Sequence, residues 1–317
     1  MTSMVPPLRS AKLVSLVCPM LNEAESVGLW HTAVVQALQA LPVPYELVVV
    51  DDGSTDDTWA RLVTLQSKFA HLKLLRLSRN FGKEAALTAG LAAAQGDVMV
   101  PIDADLQDPP ALVAAMYGRW QHGADMVVGV RPERPTDSAA KRLSSGAFYH
   151  VFNWLSPQRI PLHGGDFRLM DKAVVQALLA LPERTRFMKG LYGWVGFTTE
   201  LMPYERPERA AGQSKFNGWK LWNFALEGLL SFSTWPLRVW TYVGASLALV
   251  SLAYGTVVVV QTLLFGRALP GYASLMVAVL FLGGIQLLTL GIIGEYIGRI
   301  YLETKQRPLF VLKEQKG

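Results

Sequence analysis

Apolar and polar positions alternate in blocks along the first 215 residues, in the order expected of strands followed by helices. A helical pattern begins near Ala24, and an alanine-rich helix is predicted over 85–95. Four apolar runs predict strands: one from Val14, one at 45–50, one near 72–77 and one at 98–102. Strands that alternate with helices favour a mostly parallel sheet covered on both faces, so we predict an α/β domain over 1–215.

The pattern changes after residue 215. Tryptophan and leucine recur at helical spacing over 216–235, which favours an amphipathic helix at a membrane interface; a buried globular helix is the alternative. Two uncharged stretches follow, at 239–265 and 268–294, and each is long enough to span a membrane. The short linker between them predicts a transmembrane hairpin. The remaining 295–317 form a C-terminal tail with a short strand or extended segment at 307–312.

Basic residues flank this hairpin on both sides, whereas the turn between the two spans contains Arg267 alone. The flanking residues are Lys215, Lys220 and Arg238 before the hairpin and Arg299, Lys305 and Arg307 after it. By the positive-inside rule we expect the α/β domain and both termini to be cytoplasmic.

The composition agrees with this division of the chain. The apolar content of 51% is explained by two spans added to an ordinary core. A single cysteine, Cys18, excludes an intramolecular disulfide and agrees with a reducing compartment. The net charge of +5, without an interleaved aromatic and basic motif, favours anionic lipid and diphosphate over nucleic acid as partners.

Two carboxylates one residue apart, Asp103 and Asp105, follow the fourth predicted strand. In extended chain these side chains point the same way, so they can converge on one cation, with Gln107 as a third oxygen ligand. Oxygen ligands suit Mg²⁺ or Mn²⁺ that keeps places open for phosphate oxygens. The alternative is a solvated acidic turn before Pro109 and Pro110.

The other predicted strands also end in polar clusters, at 22–23, 51–57 and 78–84. Ligands of parallel sheets bind outside the carboxyl ends of the strands, so we expect these clusters to form one site. No G-x-G-x-x-G follows the first strand, and Gly82-Lys83 lacks the other residues of a P-loop. The sequence therefore favours an acidic, metal-bridged nucleotide site.

Four motifs occur in order along this domain: Pro19-x-x-Asn22-Glu23, Asp51-Asp52-Gly53-Ser54-x-Asp56, Asn80-Phe81-Gly82-Lys83-Glu84 and Asp103-Ala104-Asp105-Leu106-Gln107-Asp108-Pro109. In order and spacing they resemble the motifs of polyprenyl-phosphate glycosyltransferases of glycosyltransferase family 2, which have the GT-A fold. That group includes dolichyl-phosphate mannose synthases and bacterial enzymes that load undecaprenyl phosphate with a sugar. The resemblance extends over nearly the whole chain.

The resemblance implies roles for individual residues. Donor-binding residues would be Pro19, Leu21, Asn22, Glu23, Asp51, Asp52, Lys83, Asp103, Ala104 and Asp105, and the metal ligands Asp103, Asp105 and Gln107. Candidate ligands of the acceptor phosphate are Arg131, Lys141, Arg142, Arg168, Arg206 and Lys215, and the catalytic residues would be Asp105, Asp166 and Arg209. Simpler alternatives are a strand stop for Pro19, a solvated charge for Lys83, and a basic surface near anionic lipid for 131–142.

Asp166 lies in a Gly-Gly-Asp-Phe-Arg segment that resembles the acceptor-side motif of the family. A general base is one possible role. The second pKa of a phosphate monoester is near 6, however, so this nucleophile is already largely anionic at neutral pH. We therefore expect Asp166 to orient the acceptor or the sugar hydroxyls rather than to remove a proton.

The resemblance implies an inverting, metal-dependent transferase that uses Mg²⁺ or Mn²⁺ and moves a sugar from a nucleotide diphosphate to undecaprenyl phosphate. It would act at the cytoplasmic face of the bacterial inner membrane, as a homo-oligomer and by analogy a tetramer. UDP-glucose is the favoured donor; UDP-GlcNAc, UDP-galactose, an amino-arabinose donor and GDP-mannose remain open. The rivals are a processive polysaccharide synthase, whose Q-x-x-R-W stretch is not found, and a non-catalytic scaffold that binds a nucleotide sugar.

Overall fold

The structure is a computed structural model, which describes residues 8–130, 164–184, 186–204, 235–265 and 271–317. It divides into two units, Met1–Phe224 with Arg307–Gly317, and Ala225–Gln306. The predicted interfacial helix over 216–235 lies outside the described residues except for its last position.

The first unit is built on one mixed sheet with helices on both faces. Its strands are β1 (Val14–Met20), β2 (Tyr45–Asp51), β3 (Leu72–Leu77), β4 (Val98–Pro101), β5 (Met126–Val130), β6 (Gly164–Asp171), β7 (Thr199–Pro203) and β8 (Leu312–Lys316). Its described helices are α1 (Val27–Leu38), α2 (Thr58–Gln66), α3 (Lys83–Ala93), α4 (Leu112–Gln121), α5 (Lys172–Ala180) and α6 (Met188–Trp194).

The strand order is β7-β5-β6-β4-β1-β2-β3-β8. The four strands β1 to β4 pair in parallel, and so do β5 and β7. β6 runs antiparallel to both β4 and β5, and β8 runs antiparallel to β3 at the far edge. The prediction of an α/β domain with a mostly parallel sheet is confirmed.

Alternation along the central strand explains why both faces of the sheet are covered. Leu16 and Cys18 of β1 are fully buried and join Trp30 of α1 in one apolar core. Val17 points to the opposite face, where α3 packs closely. A Cβ atom at Gly90 of α3 would lie only 2.3 Å from Val17 Cγ1, so the helix can approach the sheet only with glycine there.

The antiparallel strand β6 brings its first residues to the edge of the sheet where β4 ends. Met99 of β4 pairs with Met170 of β6, and Val98 pairs with Asp171. Continuing this register past the last pair places the start of β6 beside the segment that follows β4. The carboxyl ends of the parallel strands and the start of β6 therefore share one edge.

The second unit contains α7 (Trp235–Phe265) and α8 (Tyr272–Thr304), two apolar helices long enough to form a transmembrane hairpin. α8 runs beyond the predicted end of the second span at 294, and Glu295 and Arg299 lie one helical turn apart in this extension, 3.6 Å from each other. The chain then returns to the first unit, where residues 307–311 form no strand and β8 follows directly after them.

Candidate functional site

A cavity of about 340 Å³ opens where β1, β2 and β4 end and α3 begins. Of the predicted donor-binding residues, all except Asn22 and Asp51 contribute to its lining. The lining residues are Pro19, Met20, Leu21, Glu23, Asp52, Asn80, Gly82, Lys83, Asp103, Ala104 and Asp105. Residues from four separate sequence motifs thus come together in the described part of the chain.

Asn22 and Asp51 brace the two turns beside the cavity. The backbone N–H of Asn22 donates to Ser54 Oγ at 2.9 Å, and Asn22 Oδ1 accepts the N–H of Thr55 at 2.9 Å. Asp51 is fully buried, and its Oδ1 accepts the N–H of Ser54 at 3.0 Å. Arg76 Nε lies 3.2 Å from Asp51 Oδ2, an ion pair without a hydrogen bond. These contacts support the turns of the first two motifs.

Asp52 holds the loop that leads into α3. Its carboxylate accepts the N–H of Phe81 at 2.8 Å and that of Gly82 at 3.0 Å. Burial raises the pKa of Asp52, and these two N–H donors partly counteract the rise. Gly82 has a φ of 99°, a conformation that favours glycine. Because Lys83 follows Gly82 directly, the contacts of Asp52 fix the backbone position from which the Lys83 side chain extends.

The turn after β4 carries the two carboxylates of the D-x-D motif. Asp105 Oδ1 accepts the N–H of Gln107 at 3.1 Å, which closes the turn around Leu106. Leu106 has a φ of 53°, and a non-glycine residue in this region costs about 1–2 kcal/mol. A strained leucine between two polar residues indicates that the surrounding contacts determine the geometry of this turn.

The oxygen donors after β4 fit a divalent cation that is shared with a diphosphate. Asp103 and Asp105 line the cavity, and the Oε1 atom of the buried Gln107 has no hydrogen-bond partner. Within the described residues there is no group of three or more His, Cys, Asp or Glu side chains placed to hold a metal. A cation bound here would therefore rely on Gln107 and on phosphate oxygens to complete its coordination.

Lys83 contacts two carboxylates of this edge, those of Asp103 and Asp166. Its Nζ lies 2.8 Å from Asp103 Oδ1 and 2.9 Å from Oδ2, and 3.1 Å from Asp166 Oδ2. Burial alone would lower the pKa of Lys83, but the charges of Asp166 and Asp103 outweigh it and raise the pKa well above its usual range. The lysine therefore stays charged at neutral pH and joins the D-x-D turn to β6.

Arg168 lies in the interior, where it supports the start of β6. Only 4% of the residue is exposed, and Nη2 donates to the carbonyl of Gly165 at 2.6 Å. The guanidinium stacks on the ring of Tyr192 in α6, 3.4 Å from the ring centre. We expected Arg168 to contact the acceptor phosphate; its placement favours support of the Asp166 segment instead.

Glu84 of α3 is a titratable residue of this region that the sequence analysis did not assign to the site. Burial raises its pKa to about 7, and the nearby charge of Asp166 adds to the rise, while Lys83, Lys189 and Arg168 oppose it. Lys189 and Tyr192 of α6 were also missed. They lie three residues apart, which places them on one helix face, but no sequence motif marks them.

Several predicted acceptor-side residues cannot be placed in this geometry. Arg131, Lys141, Arg142, Arg206, Arg209 and Lys215 lie outside the residues that the structure describes. Their assignment to the acceptor phosphate, and that of Arg209 to catalysis, stays a prediction.

Two family profiles match separate parts of the chain. Residues 15–179 match Glycosyl transferase family 2, and residues 235–300 match the GtrB C-terminal hairpin. The first match covers the strands and turns that surround the cavity. The second covers most of the two apolar helices.

Related proteins align with almost the full length of this chain. The chain is 48% identical over 303 residues to a bactoprenol glucosyl transferase of Shigella phage SfV, covering 96% of this chain and 99% of the relative. It is 47% identical over 304 residues to an uncharacterised glycosyltransferase of Synechocystis, covering 96% of each chain. Among solved structures, glucosyl-3-phosphoglycerate synthase from Mycobacterium tuberculosis, in complex with Mn²⁺, UDP-glucose and phosphoglyceric acid, has a TM-score of 0.47 and 21% identity, covering 69% of this chain and 78% of that one. The chain therefore belongs to glycosyltransferase family 2, combines that domain with a GtrB C-terminal hairpin, and is similar to the bactoprenol glucosyl transferases.

Proposed function

We propose that this glycosyltransferase moves a sugar from a nucleotide diphosphate sugar to polyprenyl phosphate at a membrane surface. The observation that carries the proposal is the cavity where Asp103, Asp105 and Lys83 meet at the carboxyl edge of the sheet. Paired carboxylates and a lysine suit a diphosphate bound together with a divalent cation. The relatives named bactoprenol glucosyl transferases support undecaprenyl phosphate as the acceptor and UDP-glucose as the favoured donor.

On the donor side, Pro19 and Leu21 offer apolar surface to the nucleoside, and Asp52 keeps the loop before Lys83 in place. Lys83 compensates the negative charge of the diphosphate. Asp103, Asp105 and Gln107 would hold Mg²⁺ or Mn²⁺, which would stabilise the charge that develops on the departing diphosphate.

On the acceptor side, an oxygen of the lipid phosphate attacks the anomeric carbon in line. A new carbon–oxygen bond forms as the bond to the diphosphate breaks, and the configuration inverts. Burial would raise the pKa of Asp166, but Lys83, Lys189 and Arg168 outweigh it and lower the pKa below its usual range. A carboxylate with a low pKa is a poor base, which supports an orienting role for Asp166.

The position of β8 supports one membrane topology. The chain segments before and after the two apolar helices belong to the same folded unit, because β8 pairs with β3. In the proposed topology, both ends of the hairpin lie on the same side of the membrane. The basic flanks favour the cytoplasmic side for the catalytic domain and both termini.

Transfer can be tested with the full chain purified in detergent. Undecaprenyl phosphate is incubated with labelled UDP-glucose, UDP-GlcNAc, UDP-galactose or GDP-mannose, with Mg²⁺, Mn²⁺ or chelator, and label is counted in the organic phase. We expect metal-dependent transfer that falls by about 10²–10³-fold in Asp105→Asn, a loss typical of removing one preorganised charge. The matched control Asp57→Asn changes an exposed aspartate outside the cavity. Nucleotide binding without transfer from any donor would favour the non-catalytic scaffold.

Topology can be tested by labelling introduced cysteines in intact cells with an impermeant maleimide. Cys18 is fully buried and should stay unlabelled. We expect Gln315→Cys, an exposed position of β8, to be protected, and Ala268→Cys, in the segment of sequence between the two helices, to be labelled. The reverse pattern would place the catalytic domain outside.

The mass of the detergent-purified protein, corrected for bound detergent, tests the proposed homo-oligomer, a tetramer.

A further inference from the structure

Two carboxylates face each other across the end of the sheet. Asp103, two residues beyond the end of β4, and Asp166, near the start of β6, both lie within 3.1 Å of the Nζ atom of Lys83. Asp103 belongs to the donor-side turn, and Asp166 to the acceptor-side segment of β6. Because both carboxylates contact the same ammonium group, they lie close enough to repel each other. A cation between Asp103 and Asp166 is needed to offset this repulsion.

Lys83 supplies that cation. It contacts both oxygens of Asp103, at 2.8 and 2.9 Å, and one oxygen of Asp166, at 3.1 Å. The other oxygen of Asp166, Oδ1, is buried and has no hydrogen-bond partner. Lys189 and Arg168 also lower the pKa of Asp166, but no contact of either with Asp103 is seen in the described structure. Lys83 therefore occupies both oxygens of a carboxylate that the proposed metal would need.

We propose that Lys83 is a positioning residue that exchanges partners when the donor binds. Without ligand it neutralises Asp103 and competes with a divalent cation for that carboxylate. When cation and nucleotide diphosphate enter together, Lys83 keeps Asp166 as its anchor and exchanges Asp103 for a diphosphate oxygen. Binding of the cation and binding of the diphosphate are thus coupled through Lys83, so that each increases the affinity for the other. A cation alone binds weakly. This inference rests on the proposed function, since it needs a metal-bound diphosphate.

The exchange predicts effects of opposite sign in one variant. In Lys83→Gln we expect Mn²⁺ alone to bind about tenfold more tightly, because the competing charge has gone. We expect UDP in the presence of saturating Mn²⁺ to bind about tenfold more weakly, because a phosphate contact has gone. Mn²⁺ binding is measured from the electron paramagnetic resonance signal of the free ion, and UDP and GDP binding by calorimetry, on the full chain in detergent.

The matched control is Lys189→Gln, which removes a positive charge near Asp166 from a lysine without a contact to Asp103. We expect it to change either affinity by less than about twofold. Lys83→Met is a second variant of similar length, measured in the same way if Lys83→Gln does not fold.

The outcomes separate this inference from the proposed function. If the wild-type protein binds neither Mn²⁺ nor a nucleoside diphosphate, the proposed function fails and the inference fails with it. If the wild type binds both, and Lys83→Gln shifts both affinities in the same direction or by no more than Lys189→Gln does, the exchange is overturned while the proposed function stands. Opposite shifts in Lys83→Gln alone support it.

Discussion

The donor side and the acceptor side of the site are built in different ways. On the donor side, each polar residue follows a parallel strand or begins a helix, and hydrogen bonds between neighbouring turns, such as those from Phe81 and Gly82 to Asp52, position it. On the acceptor side, Asp166 and Arg168 lie on the antiparallel strand β6, and Tyr192 of α6 packs against Arg168. The comparison shows that the donor half of the site depends on hydrogen bonds between turns at the ends of parallel strands, whereas the acceptor half depends on packing between an antiparallel strand and a helix.

The largest effect that would test this comparison is expected at Asp52. Asp52→Ala removes a carboxylate that accepts two backbone N–H groups. Hydrogen bonds to a charged acceptor contribute about 1.5–3 kcal/mol each to stability, and water can replace part of this contribution. We therefore expect the free energy of unfolding to fall by about 3 kcal/mol. For a domain of this size the Tm should fall by about 6–12 °C, measured by thermal unfolding of the detergent-purified protein.

UDP affinity should fall in the same variant, because the loop before Lys83 loses its support. The control is Asp57→Ala, an exposed aspartate whose side chain makes no capping hydrogen bond to α2. It should change the free energy of unfolding by less than about 0.5 kcal/mol. Equal effects of the two substitutions would show that the donor side does not depend on this loop.

The donor side is also the half that the sequence predicts well. Its strands, the turn at Gly53, the D-x-D pair and Lys83 each have a local signal, and parallel strands bring their ends to one edge. The sequence did not distinguish residues that line the cavity from residues that brace it. Asn22 and Asp51 are bracing residues, and only the contacts with Ser54 and Thr55 reveal this.

On the acceptor side, the next largest effect is expected at Arg168. Arg168→Met conserves much of the volume but leaves the carbonyl of Gly165 without its donor and removes the stacking on Tyr192. We expect the free energy of unfolding to fall by about 2 kcal/mol. We also expect the apparent KM for polyprenyl phosphate to rise while UDP affinity stays within twofold of wild type, because the substitution perturbs the start of β6 whereas the donor turns keep their own hydrogen bonds.

Arg119→Met is the matched control. Arg119 pairs with Glu200 at 2.7 Å, and both side chains are more than a third exposed. Exposed ion pairs contribute about 0–1 kcal/mol, so stability and the acceptor KM should change little. If Arg168→Met weakens UDP binding as much as acceptor binding, the two halves of the site are not separately supported.

The acceptor side could not be predicted in the same detail. The sequence marked Asp166 and Arg168, but a motif gives no information about burial, so it did not predict that Arg168 lies in the interior. Its stacking partner Tyr192 lies 24 residues further along the chain, in a helix without any motif. The strand of the tail, β8, begins where the predicted strand or extended segment at 307–312 ends, because its pairing with β3 is a long-range contact that the apolar run over 309–312 does not encode.

The smallest effect concerns Glu84, which lies between the two halves. Its pKa rises from 4.5 to about 7 in the folded protein, mainly through burial. Between these pH values the unfolded state ionises while the folded state keeps its proton, so raising the pH lowers the free energy of unfolding. Glu84→Gln removes this dependence. We therefore expect the free energy of unfolding of the wild type to fall by about 1 kcal/mol relative to that of Glu84→Gln between pH 4.5 and 7, after allowance for partial exposure.

The difference in Tm between the two proteins should grow by about 2–4 °C over that pH range, whereas the exposed Glu25→Gln should show no such trend. A Tm difference independent of pH would mean that Glu84 is ionised in the folded protein. The charges of the acceptor-side cations would then lower the pKa of Glu84 by at least as much as burial raises it.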